Sequence, residues 1–400
     1  MENPFEFGRE LGISELVNRN DELEQVRQTI QTGGKLFVIG PRRFGKTSLL
    51  KSAAEKSAKD GNIIFRYNAE AFAEIDGLVR KIIEDSARSL QGSVEKTGEQ
   101  IKRYFKSLRP EISFSLTQSE WKSSIGIQPS ASDANRIGLL VDALNGLEEL
   151  ASEQSNDKKV ALIIDEFQDI LASQGIVAEK QIRSAIQTHR HTAYIFAGSK
   201  TRMLTEMTTD ASRPFYRLGT LLFIGELPRP EFSRFLLDKF TFGDFFSPQT
   251  DEETRRNLTL KILDLAEDVP YNVQMLAHAL WNRLLQIKAG VPEKAFLSEP
   301  LIAETLERLV RQNDPFYTQI WNGLTAIQKK ALSASVTENG QNLQSIKVAE
   351  KTKVSPSSMR RSLESLSAQD ILRQEEGKGA IKFRFEDPFF AAWIRLFVLR

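Results

Sequence analysis

Cysteine is absent from this 400-residue sequence. Its absence excludes disulfide bonds, thiolate nucleophiles and cysteine-ligated zinc, and it fits a reducing compartment. Histidine is scarce, and His189, His191 and His278 lack a spacing that suggests a metal site, so we assign them no function. The amino terminus lacks the basic and apolar regions of a signal peptide, and the apolar carboxyl-terminal tail is short and interrupted by Arg395. We therefore expect a cytoplasmic protein without a membrane segment.

A large charge of one sign is also missing. Lys and Arg number 54 against 53 Asp and Glu, a formal net charge of +1, so no global field attracts nucleic acid and any such partner must meet a local patch. With 40% hydrophobic and 27% charged residues the composition is that of an ordinary globular protein. At roughly 150 residues per domain, the length predicts two to three domains.

Short apolar runs alternate with longer helical patterns from Lys35 to about Gly225, which is typical of a parallel sheet covered by helices. Each run is short enough to be a buried strand. The runs are Leu36–Ile39, Ile63–Phe65, Val160–Ile164, Ala193–Phe196 and Leu221–Ile224.

Other segments have different periods. Alternation around Ile112, Phe114, Leu116, Ile125 and Ile127 predicts an inserted antiparallel hairpin, and Arg136–Glu153 predicts a helix. After Pro228 and Pro230 the period is 3.6 through Val310, which predicts an all-helical block with breaks near Pro248, Pro270 and Pro292. From Asp314 onward, three helical patterns accompany two strands, Ile371–Gln374 and Ile381–Phe385.

One segment predicts a phosphate site, because it satisfies the pattern G-x-x-x-x-G-K-[ST] between an apolar strand and a helix. Such a loop points successive main-chain amides at phosphates, with the positive end of the helix behind them. Lys46 would reach the terminal phosphates and Thr47 would hold Mg²⁺. An ordinary glycine turn is the alternative. The predicted cofactor-binding residues are Gly40, Pro41, Arg42, Arg43, Phe44, Gly45, Lys46, Thr47 and Ser48.

A second motif is the apolar strand Val160–Ile164 followed by Asp165 and Glu166. A carboxylate at the end of a strand beside the phosphate loop can hold Mg²⁺, and this is the role expected of Asp165. Glu166 would orient and deprotonate the attacking water. The alternative is a solvated acidic pair at a strand end.

With these two motifs the chain resembles the archaeal-type ATPases of the AAA+ and STAND groups, relatives of the origin-recognition ATPases. The resemblance implies a P-loop parallel-sheet core at 1–230, a helical lid at 231–313 and a winged-helix domain at 314–400. It also implies that Val17, Asn18 and Arg19, within Leu16–Leu23, line the adenine pocket. The same segment is equally consistent with the start of an amphipathic helix capped at Asn20.

The resemblance implies further site residues. Ser199, after Phe196-Ala-Gly, is similar to the first sensor of the γ-phosphate. Arg217, or as second choice Arg213, is similar to an arginine finger, although a surface arginine in a helix contact is the alternative. Pro270 matches a Gly-x-Pro segment that contacts the nucleotide, but Asp268 stands where the family has glycine, and a helix start capped by Asp268 explains it as well.

The carboxyl-terminal segment has the order of a winged helix, in which the third helix can enter the major groove of DNA. Residues 341–385 contain nine Lys or Arg and five Asp or Glu, a local charge of +4. The DNA-binding candidates are Lys353, Arg360, Arg361 and Lys378. Winged helices also dock proteins, and so small a charge excess is often only a solvated face.

These observations predict an α/β protein that binds and hydrolyses ATP with Mg²⁺. One hypothesis is an ATP-dependent regulator or loader that binds double-stranded DNA. The other is a slow nucleotide switch whose winged helix holds a protein partner. A homo-oligomer is a further expected partner, and a membrane is not.

Overall fold

The computed structural model describes residues 2–12, 16–90, 99–101, 103–105, 133–154, 158–171, 175–377 and 380–399. The hairpin predicted around Ile112–Ile127 and the candidate Lys378 lie outside the described residues. Within the described residues no helix has the length and apolarity needed to cross a membrane.

The chain divides into two compact units. The sheet unit contains residues 10–40 and 46–225, and the helical unit contains residues 1–9, 41–45 and 226–400. The predicted division into domains at 1–230, 231–313 and 314–400 stays a prediction.

The described part of the sheet unit alternates strands and helices. The strands are β1 (Lys35–Ile39), β2 (Ile63–Asn68), β3 (Val160–Asp165), β4 (Thr192–Gly198) and β5 (Thr220–Phe223). The helices are α1 (Asn20–Thr32), α2 (Lys46–Lys59), α3 (Ile75–Ser89), α4 (Asp133–Ser152), α5 (Gln168–Leu171), α6 (Ile176–Ile186) and α7 (Thr201–Thr209), with a 3₁₀ turn at Ala69–Ala71. The five apolar runs are thus strands, and the prediction of a parallel α/β sheet is confirmed.

The strands form one sheet in the order β2-β3-β4-β1-β5, and every neighbouring pair is parallel. Every residue of β3 and β4 is buried, which explains their continuous apolar sequences. Aromatic rings fill the adjoining core, where Phe167 stacks on Phe196 with a centroid distance of 4.2 Å. Because the strands are parallel, the residues that follow β1, β3 and β4 meet at one edge of the sheet.

The helical unit is built mainly from helices. Before the carboxyl-terminal segment it contains α8 (Arg229–Phe242), α9 (Glu252–Leu265), α10 (Pro270–Gly290) and α11 (Glu299–Gln312), with a 3₁₀ turn at Pro292–Lys294. Pro270 is the first residue of α10, and Pro248 lies between α8 and α9. The all-helical block is therefore confirmed, with breaks where proline interrupts the main-chain hydrogen bonds.

The carboxyl-terminal segment, residues 314–399, follows within the same unit. Its elements are α12 (Asp314–Asn322), α13 (Ala326–Thr337), α14 (Ile346–Thr352), α15 (Pro356–Ala368), β6 (Leu372–Gly377), β7 (Ala380–Phe385) and α16 (Pro388–Phe397). β6 and β7 form an antiparallel hairpin. Helix α12 was not predicted as a separate element, and both strands are longer than predicted.

Serine and threonine side chains cap three helix starts in this segment. Thr325 forms a capping box with Gln328 at the start of α13, and Ser345 and Ser355 accept main-chain N–H groups at the starts of α14 and α15. The Ser and Thr hydroxyls satisfy amides that the helix itself leaves unpaired.

Candidate functional site

The first site residue of the sheet unit, Gly40, comes directly after β1. A Cβ atom added to Gly40 would lie 3.0 Å from Cβ of Ile224 and 3.2 Å from its carbonyl carbon, with the carbonyl oxygen nearer still. The main chain therefore passes too close to Ile224 for any larger residue. Ile224 also donates its N–H to the carbonyl oxygen of Ile39 at 2.7 Å, which fixes this crossing point.

Lys46 and Thr47 open α2, where the helix amides and dipole favour a negatively charged ligand. Lys46 is buried, and the Thr47 hydroxyl donates to Oδ2 of Asp165 at 2.6 Å. Asp165 ends β3 and is 1% exposed. Burial raises the pKa of the Asp165 carboxyl above its ordinary value, although the Thr47 hydrogen bond and the charge of Lys46 oppose that rise. The two predicted motifs thus meet.

The paired oxygens of Thr47 and Asp165 fit a magnesium site chemically. Hydroxyl and carboxylate oxygens are the hard ligands that Mg²⁺ takes, usually one or two from the protein with water and phosphate oxygens completing the shell. Lys46 lies near enough to influence the ionisation of Asp165 and Glu166, so one basic and two acidic groups share this edge of the sheet.

Glu166 has a left-handed main chain with φ 50°, an uncommon conformation for a residue with a side chain. Its Oε2 accepts hydrogen bonds from Gln168 Nε2 at 2.5 Å, the Ser199 hydroxyl at 2.8 Å and the Ser199 N–H at 3.1 Å. Burial opposes ionisation, but these donors and the charge of Lys46 outweigh it and lower the pKa of Glu166. Glu166 is consequently held as a carboxylate.

Ser199 follows β4, the strand that lies between β1 and β3 in the sheet. The structure brings it to Glu166 through the two hydrogen bonds just described. Its predicted role as a γ-phosphate sensor stays a prediction.

The two arginine-finger candidates lie between α7 and β5 in different surroundings. Arg213 forms an ion pair with Glu179, whose side chain is completely buried. Arg217 is exposed and places its guanidinium 5.1 Å from the ring centroid of Tyr216. Arg213 is thus committed to a structural contact, whereas Arg217 stands at the surface.

The segment before β1 places Arg19 rather than Asn20 at the N-cap of α1, and Arg19 makes no side-chain cap. The expected cap at Asn20 is therefore wrong, since Asn20 is already helical. Arg19 is buried and donates to Glu22 at 2.7 Å and to the carbonyl oxygen of Gly225 at 2.6 Å. The assignment of Val17, Asn18 and Arg19 to an adenine pocket stays a prediction.

Loop residues 41–45 belong to the helical unit. Arg43 has a left-handed main chain with φ 69°, and its guanidinium donates to Oδ2 of Asp387 at 2.9 Å. Its carbonyl oxygen accepts the N–H of Tyr271 at 3.3 Å, and its guanidinium carbon lies 5.2 Å from the ring centroid of Tyr271. Phe44 is buried, with the Arg373 guanidinium over its ring.

In the segment before α10, Asp268 stands where the resemblance implies glycine, and it has a left-handed main chain with φ 57°. Glycine adopts this conformation without strain, which would explain a glycine at this position. Asp268 pairs with Arg229 at 2.9 Å, and Val269 rather than Asp268 is the N-cap of α10. The expected Asp268 cap is therefore wrong, while Pro270 does begin the helix.

The described DNA-binding candidates are on the surface. Lys353 follows α14 in a left-handed conformation, and Arg360 and Arg361 are exposed on α15. Arg360 pairs with Glu364 at 2.8 Å. These basic groups therefore lie at the surface, on α15 and just before it.

Sequence reasoning missed several residues that contact the site loop or its acids, among them Gln168, Tyr271 and Asp387. Gln168 fixes Glu166, and its position two residues later was a usable signal. Tyr271 and Asp387 hold Arg43, and no periodicity or motif indicates a pairing between residues so distant in the chain.

Comparisons with known proteins agree with this geometry. The family model described as an ATPase domain predominantly from Archaea matches residues 16–216, about half of the chain. No curated protein matches the sequence significantly.

Among solved structures, a Walker-type ATPase of Pyrococcus abyssi is similar over 98% of this chain and 99% of its own, with a TM-score of 0.61 and 14% identity. The Orc2 protein of Aeropyrum pernix, in ADPNP–ADP complexes, is similar over 96% of both chains, with a TM-score of 0.50 and 14% identity. These likenesses show an AAA+ P-loop fold with a helical carboxyl-terminal region. Together with the family match, they establish that the chain belongs to the ATPase family found predominantly in Archaea.

Proposed function

We propose that the chain hydrolyses ATP in a magnesium-dependent reaction at the loop Gly40–Thr47. The observation on which this depends is the 2.6 Å hydrogen bond between the Thr47 hydroxyl and Asp165. It brings the end of the phosphate loop to the acidic end of β3, as a shared metal site requires. Mg²⁺, when bound, would neutralise charge on the phosphate oxygens.

The remaining steps use side chains of this protein. The Lys46 ammonium would bind the terminal phosphates, and the amides of the loop and of the start of α2 would complete their cradle. Glu166 would orient the attacking water and accept its proton. The bonds from Ser199 and Gln168 all go to Oε2 of Glu166, so Oε1 would be the oxygen that accepts the proton from water.

ATP turnover of wild type, Lys46→Ala and Glu166→Gln tests the proposal. Lys46→Ala should lose nucleotide binding, and Glu166→Gln should bind ATP but hydrolyse it roughly 100-fold more slowly or worse, since general base catalysis contributes about 10²–10⁴. Glu231→Gln, an exposed residue of α8, is the matched control. Unchanged turnover in Glu166→Gln would refute the role of Glu166 as the base, and absence of turnover in wild type would indicate a non-hydrolysing scaffold.

We further propose that the carboxyl-terminal segment is a winged helix and binds double-stranded DNA, which makes the protein an ATP-dependent regulator or loader. The order helix, helix, helix and hairpin supports this, as do the exposed Lys353, Arg360 and Arg361. DNA should stimulate ATP turnover, and Arg361→Glu should weaken DNA binding and reduce its dependence on salt. Arg256→Glu, exposed on α9, is the control.

Exposed apolar residues on the same segment favour a second candidate function. Ile346 on α14 is 76% exposed and Ile381 on β7 is 48% exposed, and apolar side chains at the surface would suit docking of a protein. In this case the protein is a slow nucleotide switch. Slow ATP turnover that DNA does not change, with nucleotide retained through purification, would support the switch over the loader.

We also propose Arg217 as the arginine finger, acting on nucleotide bound by a second copy of the chain. Its exposure supports this, whereas Arg213 is paired with buried Glu179. Arg217→Ala should lower turnover per site only at concentrations where copies associate. An equal loss at every concentration would contradict a role between copies.

A further inference from the structure

The phosphate loop is held by a polar cluster at the start of the last helix. Asp387 is the N-cap of α16, and its two oxygens accept four hydrogen bonds. Oδ1 accepts from Asn272 Nδ2 at 2.9 Å and from the N–H of Phe389 at 3.0 Å. Oδ2 accepts from the Tyr317 hydroxyl at 3.1 Å and from Arg43 at 2.9 Å. The carboxylate is thus fixed from three helices before it meets the loop.

The loop main chain is fixed at the same place. Tyr271 donates its N–H to the carbonyl oxygen of Arg43, and its ring lies under the Arg43 guanidinium. In a trans peptide the carbonyl oxygen and the next N–H point to opposite sides of the chain. Holding the Arg43 oxygen toward Tyr271 therefore directs the Phe44 N–H away from Tyr271.

A neighbouring loop residue, Arg42, also pairs with an acidic residue of the carboxyl-terminal segment, but more weakly. Arg42 pairs with Asp370 at 3.7 Å with both side chains exposed, which contributes little. The Arg43–Asp387 pair is different, because the Asp387 side chain is only 17% exposed and its remaining acceptor sites are filled. Removing one member of such a pair leaves the other charge poorly solvated.

We propose that Asp387 is a positioning residue for the phosphate loop: by binding Arg43 it holds the loop amides ready for phosphate, so the carboxyl-terminal segment sets the affinity for nucleotide. The inference rests on the proposed function, since it concerns nucleotide binding at the same loop. It adds a residue that belongs to no nucleotide-binding motif.

The test is a double-mutant cycle on the full chain, with affinities for fluorescent ATP and ADP measured in the presence of Mg²⁺. Arg43→Gln and Asp387→Asn should each weaken binding by about tenfold, a size typical of coupled contacting charges. The double variant should bind no more weakly than the worse single variant. Asp387→Glu, which keeps the carboxylate, should recover most of the affinity.

Asp251→Asn is the matched control, because Asp251 is also a helix N-cap of the helical unit and accepts the Thr254 N–H at 2.7 Å. It should bind nucleotide like wild type, although it carries the same Asp-to-Asn change at a helix N-cap. If Asp387→Asn fails to fold, Arg43→Gln with Tyr317→Phe provides a second cycle that leaves the α16 cap in place.

Three results would overturn the positioning role: unchanged affinity in the single variants, additive losses in the double variant, or tighter binding in Asp387→Asn, which would mean that Asp387 competes with phosphate. Lys46→Ala separates this failure from failure of the proposed function. If wild type binds no better than Lys46→Ala, the nucleotide site itself is wrong. If wild type binds, Lys46→Ala does not, and Asp387→Asn binds like wild type, only the positioning role is wrong.

Discussion

Replacing Gly40 by alanine tests whether the close crossing at the end of β1 is a requirement of the fold. The new Cβ would approach the main chain and Cβ of Ile224 within 3.2 Å, with the carbonyl oxygen nearer still. The main-chain carbonyl of Ile224 cannot rotate away as a flexible side chain can. The ends of β1 and β5 would therefore have to separate, which would stretch the hydrogen bond from Ile224 to Ile39.

The expected destabilisation follows from these two effects. Overpacking of a well-packed site costs about 1–3 kcal/mol, and weakening one buried main-chain hydrogen bond adds about 1 kcal/mol. A total of about 2–4 kcal/mol would lower the melting temperature of a unit of about 200 residues by roughly 4–16 °C. Nucleotide affinity should fall as well, because Gly40 opens the phosphate loop.

Gly225→Ala is the matched control, since a Cβ added at Gly225 meets nothing within 4 Å. It should be neutral or slightly stabilising, by about 0.4–1 kcal/mol at most. Calorimetric melting and urea unfolding of both variants measure the difference. If Gly40→Ala is within about 0.5 kcal/mol of Gly225→Ala, the ordinary scatter of surface substitutions, the crossing at Ile224 is not a constraint and the argument fails.

Three further predictions concern the sheet unit. Thr47→Val should reduce the gain in ATP affinity on adding Mg²⁺ by about tenfold or more, because Mg²⁺ would lose the hydroxyl ligand beside Asp165. An unchanged gain would contradict the metal site. Arg213→Ala should destabilise the protein by about 2–4 kcal/mol in urea unfolding, since Glu179 is left buried and unpaired, and a loss below ~1 kcal/mol would refute this. Main-chain donors hold the pKa of Glu148 at about 2, below its usual 4.5, so its stabilisation is complete above pH 4.5 and is lost as pH falls toward 2. Glu148→Gln should therefore cost more stability at pH 7 than at pH 3, and equal costs would be the contrary result.

The strands and the central motif were predictable because both have local causes. A run such as Val160–Ile164 is apolar at every position because both faces of a central parallel strand are buried. The motif Gly40–Thr47 could be identified because its amides, lysine and threonine act within eight consecutive residues. Since the residues that follow the strands of a parallel sheet lie at one edge, the meeting of Thr47 and Asp165 could be expected too.

Other features depended on tertiary contacts that leave no local signal. Asn20 has the side chain of a good cap, but Arg19 takes the cap position because its guanidinium is bound by Gly225 and Glu22. Asp268 likewise suits a cap, yet it pairs with Arg229. The capping propensity of a residue states which positions it favours, and contacts with distant residues determine which position it takes.

The site residues of the sheet unit follow three adjacent parallel strands, and each pair of strands is joined through helical crossovers. Long-range pairings of this kind form late, because the entropy of closing large loops must be overcome first. A refolding chain should thus gain its capacity to bind ATP only when the central strands have assembled in register. Fluorescent nucleotide would then report, in a stopped-flow experiment, the completion of the sheet rather than the first collapse of the chain.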